Sequence, residues 1–152
     1  MFQLKTLLTL ERTLCRAPDL SKKRLFESTS ELISADQSAL ESAEIYNKLL
    51  ARERLGSTAL GDGIAIPHSR ISHCDEAIGT LITLDQGIEF DAPDGAPVDI
   101  LFLLLVPEEA QQEHLNILAG LAQLLGNHEF CDGLRSADSA AELYRLAVEF
   151  KL

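Results

Sequence analysis

Val98-Asp99-Ile100-Leu101-Phe102-Leu103-Leu104-Leu105-Val106 is apolar at every position but Asp99, and Pro97 and Pro107 bracket it. A strand with one wet face alternates apolar and polar residues, whereas a strand apolar at nearly every step has both faces covered. The stretch therefore predicts a central strand buried between two layers. Upstream, residues 64–66 and 77–84 are also rich in β-branched and large apolar residues and are bounded by Gly, Pro and Asp, which reads as further strands. Residues 88–90, between Gly87 and the Asp91-Ala92-Pro93-Asp94-Gly95 loop, read as an edge or a bulge.

Helical periods lie on either side of these strands. After a short strand or extended lead-in at 12–17, Pro18 and Asp19 make a turn and Ser21 caps a helix over 21–35, with Leu25, Thr29, Leu32 and Ile33 on its apolar face. Ser38-Ala39-Leu40-Glu41 has the spacing of a capping box, which predicts a second helix from Ser38, through Ile45, Leu49 and Leu50, to a stop at Gly56. Beyond Pro107 a helix over 110–125 is expected to present Leu115, Leu118, Ala119, Ala122 and Leu125, followed by a short helix or turn over 128–134. A second capping box, Ser139-Ala140-Ala141-Glu142, opens a last helix with the stripe Leu143, Leu146, Ala147 and Phe150. Helices, then strands, then helices, without repeat or linker, predict a single domain over 1–152 of the α+β class. Its architecture is an α/β/α sandwich, a mixed β-sheet flanked by helices on both faces.

Composition narrows the function. With 152 residues, folding should bury roughly 70% of the unfolded surface without disulfides or metals. The net charge of −11, from 24 acidic and 13 basic residues, repels phosphate backbones and argues against nucleic-acid partners. The basic run Lys22-Lys23-Arg24 at a helix start reads as a solvated face. Cys15, Cys74 and Cys131 are odd in number and widely spaced, which suits free thiols in a reducing cytosol better than a disulfide framework. Residues 1–10 lack the pattern of a cleavable leader, and the longest apolar run, 100–106, is far short of the roughly 20 residues that span a bilayer. A soluble cytoplasmic protein without membrane insertion is expected.

The chemistry concentrates in Gly61-Asp62-Gly63-Ile64-Ala65-Ile66-Pro67-His68. Pro67 fixes its own φ and removes a backbone donor, so a strand reaching it is expected to stop and present His68 at an edge. An imidazole there can act as nucleophile, base or ligand. His114 falls in the first turns of the helix after the central strand, where free N–H groups and the helix dipole favour an anion. If both loops leave the same end of the sheet, the two rings can flank one anion. The alternative is a half-buried helix histidine satisfied by a backbone carbonyl. His73 and Cys74 extend the list of possible metal ligands, but neither a Cys-x-x-Cys pair nor a His-Glu-x-x-His helix is present, and no metal or cofactor is expected. His128, in a polar turn, reads as solvent-facing. Gly61-x-Gly63 precedes a strand and reads as a tight turn rather than a nucleotide loop.

Several separated segments resemble one family. Arg52-Glu53-Arg54-Leu55-Gly56-Ser57-Thr58, then 61–68, then Pro97-Val98-Asp99-Ile100-Leu101-Phe102 with Leu104-Leu105-Val106-Pro107, and Glu113-His114-Leu115 are similar to the IIA domains of the bacterial phosphoenolpyruvate-dependent phosphotransferase system, of the fructose and mannitol class. Within that class the wording Gly-Ile-Ala-Ile-Pro-His resembles the nitrogen-regulatory branch most. The resemblance implies that His68 accepts a phosphoryl group from a histidine-phosphorylated HPr-like carrier. It further implies that His114 hydrogen-bonds the phosphoryl oxygens and that Arg52 grips them with its guanidinium. From the residue pattern alone Arg52 would be a solvated helix arginine. Sensor kinases and potassium transporters are the regulated partners the resemblance implies. Where many members carry glycine after the histidine this chain has Ser69, which bears on donor fit or phosphohistidine lifetime. Two other functions fit the same residues: a sugar-transport component passing phosphate to a IIB domain, and a non-enzymatic anion-binding module.

Overall fold

The computed structural model describes residues 3–110 and 112–151. At its centre lies β6 (Val98–Pro107), with β5 (Ile78–Ile88) antiparallel on one side. On its other side β3 (Ile64–Ala65) and β4 (His68–Ile71) both run parallel to it. β1 (Thr13–Ala17) pairs in parallel with β5 at one edge, and β2 (Ala59–Gly61) pairs antiparallel with β3 at the other. Among the described residues the result is a mixed six-stranded sheet.

Residues alternate across β6 because successive Cβ atoms point to opposite faces. Leu101, Leu103 and Leu105 pack against Phe26, Ile33 and Ile45, from α1 (Lys22–Asp36) and α2 (Ser42–Leu55). Ile100, Phe102 and Leu104 pack against Leu121, Leu134 and Leu143, from α3 (Gln112–Leu125), α4 (His128–Ser136) and α5 (Ala140–Glu149). The sheet is thus sandwiched between helical layers, the α/β/α arrangement that the unbroken apolar run predicts. Each of these buried side chains contributes roughly 1.5–3 kcal/mol of hydrophobic stabilisation before entropy is counted.

Two helix starts agree with their sequence signals: Ser21 Oγ accepts from Arg24 N–H at 3.2 Å and Ser139 Oγ from Glu142 N–H at 3.1 Å. The second helix does not begin at Ser38. Residues 37–40 form a turn, with Leu40 N–H donating to the Gln37 carbonyl at 2.9 Å and the Ser34 hydroxyl to the Leu40 carbonyl at 2.7 Å. Leu40 is thereby buried between α1 and α2, and α2 starts at Ser42 without a side-chain cap. Burying a leucine outweighs the ~1 kcal/mol of a serine cap. The inward stripe of α3 is also rotated from the expected one. His114, Leu121, Leu124 and Leu125 are buried, whereas Leu115 is exposed. The period was present in the sequence, but its first inward position is a histidine. Ile88 belongs to β5, beyond a register shift after Thr83. The basic run is not uniformly solvated either: Lys23 and Arg24 are exposed, but Lys22 pairs with Glu53 at 3.2 Å.

Two features position the segment before His68. Asp62 and Gly63 turn the β2–β3 hairpin with φ of 56° and 82°, the left-handed pair of a tight two-residue turn. Gly63 also leaves room for an ion pair, since a Cβ there would meet Arg135 Nη2 at 2.7 Å and Asp99 Oδ1 at 2.8 Å. Arg135 grips Asp99 through Nε and Nη2 and donates to the Asp62 carbonyl at 2.7 Å, tying α4 to the hairpin and to the start of β6.

Candidate functional site

β3 and β4 are one strand with a break. Ile64 and Ala65 pair with Ile100 and Leu101, and His68 and Ser69 pair with Leu104 and Leu105, in the same register on both sides of Ile66-Pro67. The expectation that the strand ends at Pro67 is therefore corrected. Proline interrupts the ladder by lacking an N–H, but its carbonyl accepts from Leu104 N–H at 2.9 Å and the strand resumes at His68. Residues paired in register share a face, so His68 lies on the Leu104 side of the sheet, the side covered by α3.

His114 is the third residue of α3 and meets His68 there, with ring centroids 5.5 Å apart and planes at 83°. Such edge-to-face packing brings a polar ring edge against the other ring. His68 Nδ1 lies 2.7 Å from the Ile66 carbonyl oxygen. A carbonyl can only accept, so Nδ1 carries the proton and Nε2 holds the lone pair. His114 is 8% exposed, and its Nδ1 has no hydrogen-bond partner among the described residues. It is not the carbonyl-satisfied histidine that was the alternative reading.

Burial lowers the pKa of His68 below the ordinary histidine value; the positive charge of Arg52 acts the same way, while the Ile66 hydrogen bond and the Glu53 carboxylate oppose it. Burial likewise lowers His114, reinforced by His68 and by Arg70. Both rings are thus held toward the neutral form, which is the nucleophilic one. Arg52, in the last turn of α2, donates from Nη1 to the Gly56 carbonyl at 2.9 Å. The charges of Arg52 and Arg70 thus act on the two rings at the first turn of α3, an arrangement that favours a bound anion.

The other candidates lie elsewhere. His73 and His128 are exposed, and the Cys74 thiol donates to the Glu76 carbonyl at 3.0 Å. Among the described residues no three His, Cys, Asp or Glu side chains converge as a metal site. Arg70 escaped the sequence reading. It sits two residues from His68 on β4, hence on the same face, and its charge reaches His114. Recognising β4 as a strand would have found it, by the two-residue period alone.

Comparisons with known proteins agree on one family. The model of the phosphoenolpyruvate-dependent sugar phosphotransferase system, EIIA 2, matches residues 7–149. A nitrogen regulatory protein of Pseudomonas aeruginosa is 45% identical over 149 residues, which cover 98% of this chain and 97% of that one. The crystal structure of nitrogen regulatory protein IIA-Ntr from Neisseria meningitidis superposes with a TM-score of 0.88 at 40% identity, covering 95% of this chain and 98% of that one. Mannitol enzyme IIA of Escherichia coli, solved in complex with phosphorylated mannitol enzyme IIB, shares the fold at 18% identity and a TM-score of 0.75, covering 92% of this chain and 96% of that one.

Proposed function

The chain belongs to the EIIA 2 family of the phosphoenolpyruvate-dependent sugar phosphotransferase system, and from that premise we propose that His68 is its phosphoryl acceptor, with His114 and Arg52 holding the phosphoryl oxygens. Members of this family are phosphocarriers whose partners include HPr-like carriers and IIB proteins. In the proposed step the Nε2 lone pair of His68 attacks the phosphorus of the donor's phosphohistidine. A new N–P bond forms as the donor's N–P bond breaks, its electron pair returning to the donor imidazole. The Nδ1 proton of His68 stays in place, so the step needs no proton transfer. Positioning and charge stabilisation supply the catalysis, as in other phosphoryl transfers.

The observation that carries this reading is the 2.7 Å contact between His68 Nδ1 and the Ile66 carbonyl. It leaves Nε2 unprotonated beside a buried ring that has an unpartnered nitrogen. Once phosphorylated, the site gains nearly two negative charges, a difference that a partner protein can read. The 45% identity to a nitrogen regulatory protein favours a regulatory branch over a sugar-transport component. On that reading residues 1–152 act as one cytoplasmic domain, with sensor kinases or potassium transporters as the regulated partner types.

The test is phosphoryl transfer from phosphoenolpyruvate through enzyme I and the carrier, comparing wild type with His68→Ala by intact mass and acid lability. A single acid-labile phosphate that vanishes in the variant is expected. An unmodified wild type with a demonstrably active donor would leave the anion-binding module. Rapid onward transfer to a IIB cysteine would move the assignment to sugar transport.

A further inference from the structure

Glu53 is a buried acid that the transfer step does not use. Its side chain is 4% exposed, its Oε1 accepts from Thr58 N–H at 2.9 Å, and its Oε2 accepts from the Thr58 hydroxyl at 2.8 Å. Lys22 Nζ donates to Oε1 at 3.2 Å and stands 4.2 Å from the centroid of the Phe90 ring. A carboxylate this deep survives only with several partners, and here two of the three bonds come from one residue, Thr58.

Thr58 leads on to the acceptor. Its carbonyl accepts from Ile66 N–H at 3.1 Å, and the Ile66 carbonyl takes the Nδ1 proton of His68 at 2.7 Å. Ile66 is the residue the sheet does not hold, since it falls in the break where register pairing with β6 lapses. Its orientation comes instead from Thr58, and that of Thr58 from Glu53. A shift at Glu53 therefore reaches the ring through the two hydrogen bonds of Ile66, one from its N–H to Thr58 and one from His68 Nδ1 to its carbonyl.

We propose that Glu53 is a positioning residue for the phosphoryl acceptor: by clamping Thr58 it fixes the Ile66 carbonyl that holds the Nδ1 proton, and so keeps Nε2 as the lone-pair nitrogen. The inference rests on His68 being the acceptor. Partners that fix the tautomer and orientation of a working imidazole act in this way in metal sites and in hydrolytic triads.

The experiment reads the tautomer of His68 directly, by 15N NMR of the imidazole in the intact protein, with His68→Ala to assign the signals, in wild type, Glu53→Gln and Thr58→Val. Wild type is expected to be almost entirely the Nδ1–H form. In Glu53→Gln the signals should move toward a mixture of tautomers, and transfer from the phosphorylated carrier should slow by roughly tenfold or more. Thr58→Val keeps the backbone amide and the charge of Glu53, so it should shift the same signals less. A folded Glu53→Gln protein with the wild-type tautomer overturns the proposal, even if its transfer is slow. Should Glu53→Gln fail to fold, Thr58→Val decides by the same signal, and a wild-type tautomer and rate there overturn it. Uptake of phosphate by His68→Ala would instead sink the acceptor assignment, while the tautomer signal, recorded without any donor, still decides on Glu53.

Discussion

Arg12 and His114 are almost equally buried, at 6% and 8% exposed, yet the fold treats them in opposite ways. Arg12 sits just before β1 and is enclosed by acceptors: Nε donates to the Gly79 carbonyl at 2.9 Å, Nη2 to the Leu7 carbonyl at 3.0 Å and Nη1 to Asp36 at 2.7 Å. His114 has a ring nitrogen with no partner among the described residues, and its neighbour His68 uses one nitrogen and leaves the other free. An unpaired buried polar atom costs about 1–3 kcal/mol. One cluster spends its hydrogen-bonding capacity on stability, and the other leaves it open, as the proposed phosphoryl site requires.

Mutating the two clusters should separate stability from transfer, and the largest effect is expected at their centres. Arg12→Met removes three charge-assisted hydrogen bonds, leaving Asp36 with only the Gln37 amide and the Leu7 carbonyl with only the Gly79 N–H, and should lower unfolding free energy by about 3–5 kcal/mol in urea titrations, with transfer intact while the protein is folded. His68→Ala should do the reverse, abolishing covalent phosphorylation with little change in the urea midpoint. Loss of transfer in folded Arg12→Met would break the contrast.

His114→Leu comes next. On the proposed role of His114, this removes a donor to the transferring oxygens and should slow transfer on the order of 10²–10³-fold. Replacing an unpartnered polar ring by an apolar side chain should leave stability unchanged or raise it, because no partner is orphaned. A marked fall in the thermal midpoint would mean that the ring holds the helix start in place.

Acidity distinguishes the clusters along another axis. Both histidines have lowered pKa values, so below the unfolded value of ~6.5 the unfolded chain binds protons that the folded chain refuses. Stability present above ~6.5 should therefore decline as pH falls toward the folded pKa values, and transfer should persist below pH ~6.5 before failing as Nε2 protonates. Hydrogen bonds from the Gln37 amide and the Arg12 guanidinium hold the Asp36 carboxyl below the usual range. The contribution of Asp36 is fully present above its unfolded value of ~3.9 and lost only as pH falls through its lowered folded value. Urea midpoints measured from pH 8 to pH 3 should show two separate declines in wild type, and only the lower one in a variant lacking both histidines.

Smaller effects sharpen the picture. Arg52→Lys keeps the charge but loses the planar fork, and should slow transfer by roughly tenfold, about 1.5 kcal/mol for one charged hydrogen bond. Ser69 pairs with Leu105 and so faces the side of the sheet away from His114. Ser69→Gly should leave transfer nearly unchanged and cost about 0.5–1 kcal/mol of stability, the usual cost of a glycine inside a strand.

Much of this was readable from the chain because burial leaves periodic marks. The unbroken run at β6 announced a covered sheet, and Ser21 and Ser139 announced helix starts by their hydroxyls. Position alone paired His68 with His114, one following the strand-breaking proline and the other opening the helix after the central strand. What escaped depends on tertiary competition. The box at Ser38 was locally sound but lost to the burial of Leu40. The inward face of α3 was misplaced because a polar ring occupies one of its buried positions. Four residues of β4 were too short and too mixed in polarity to announce a strand, and with β4 went Arg70. The clamp from Glu53 through Thr58 to Ile66 joins residues by backbone contacts that no side-chain pattern encodes.

The shared register across Ile66-Pro67 makes the placing of the proposed acceptor a matter of counting. Because side chains alternate every residue along a strand, inserting or deleting one residue between Ala65 and His68 would present the imidazole to α2 instead of α3, as far from its partner ring as the thickness of the sheet allows. Many substitutions in those few positions change only shape, but a change of length reverses the face. The spacing from the hairpin glycine to the histidine is accordingly as much a part of the site as the ring itself.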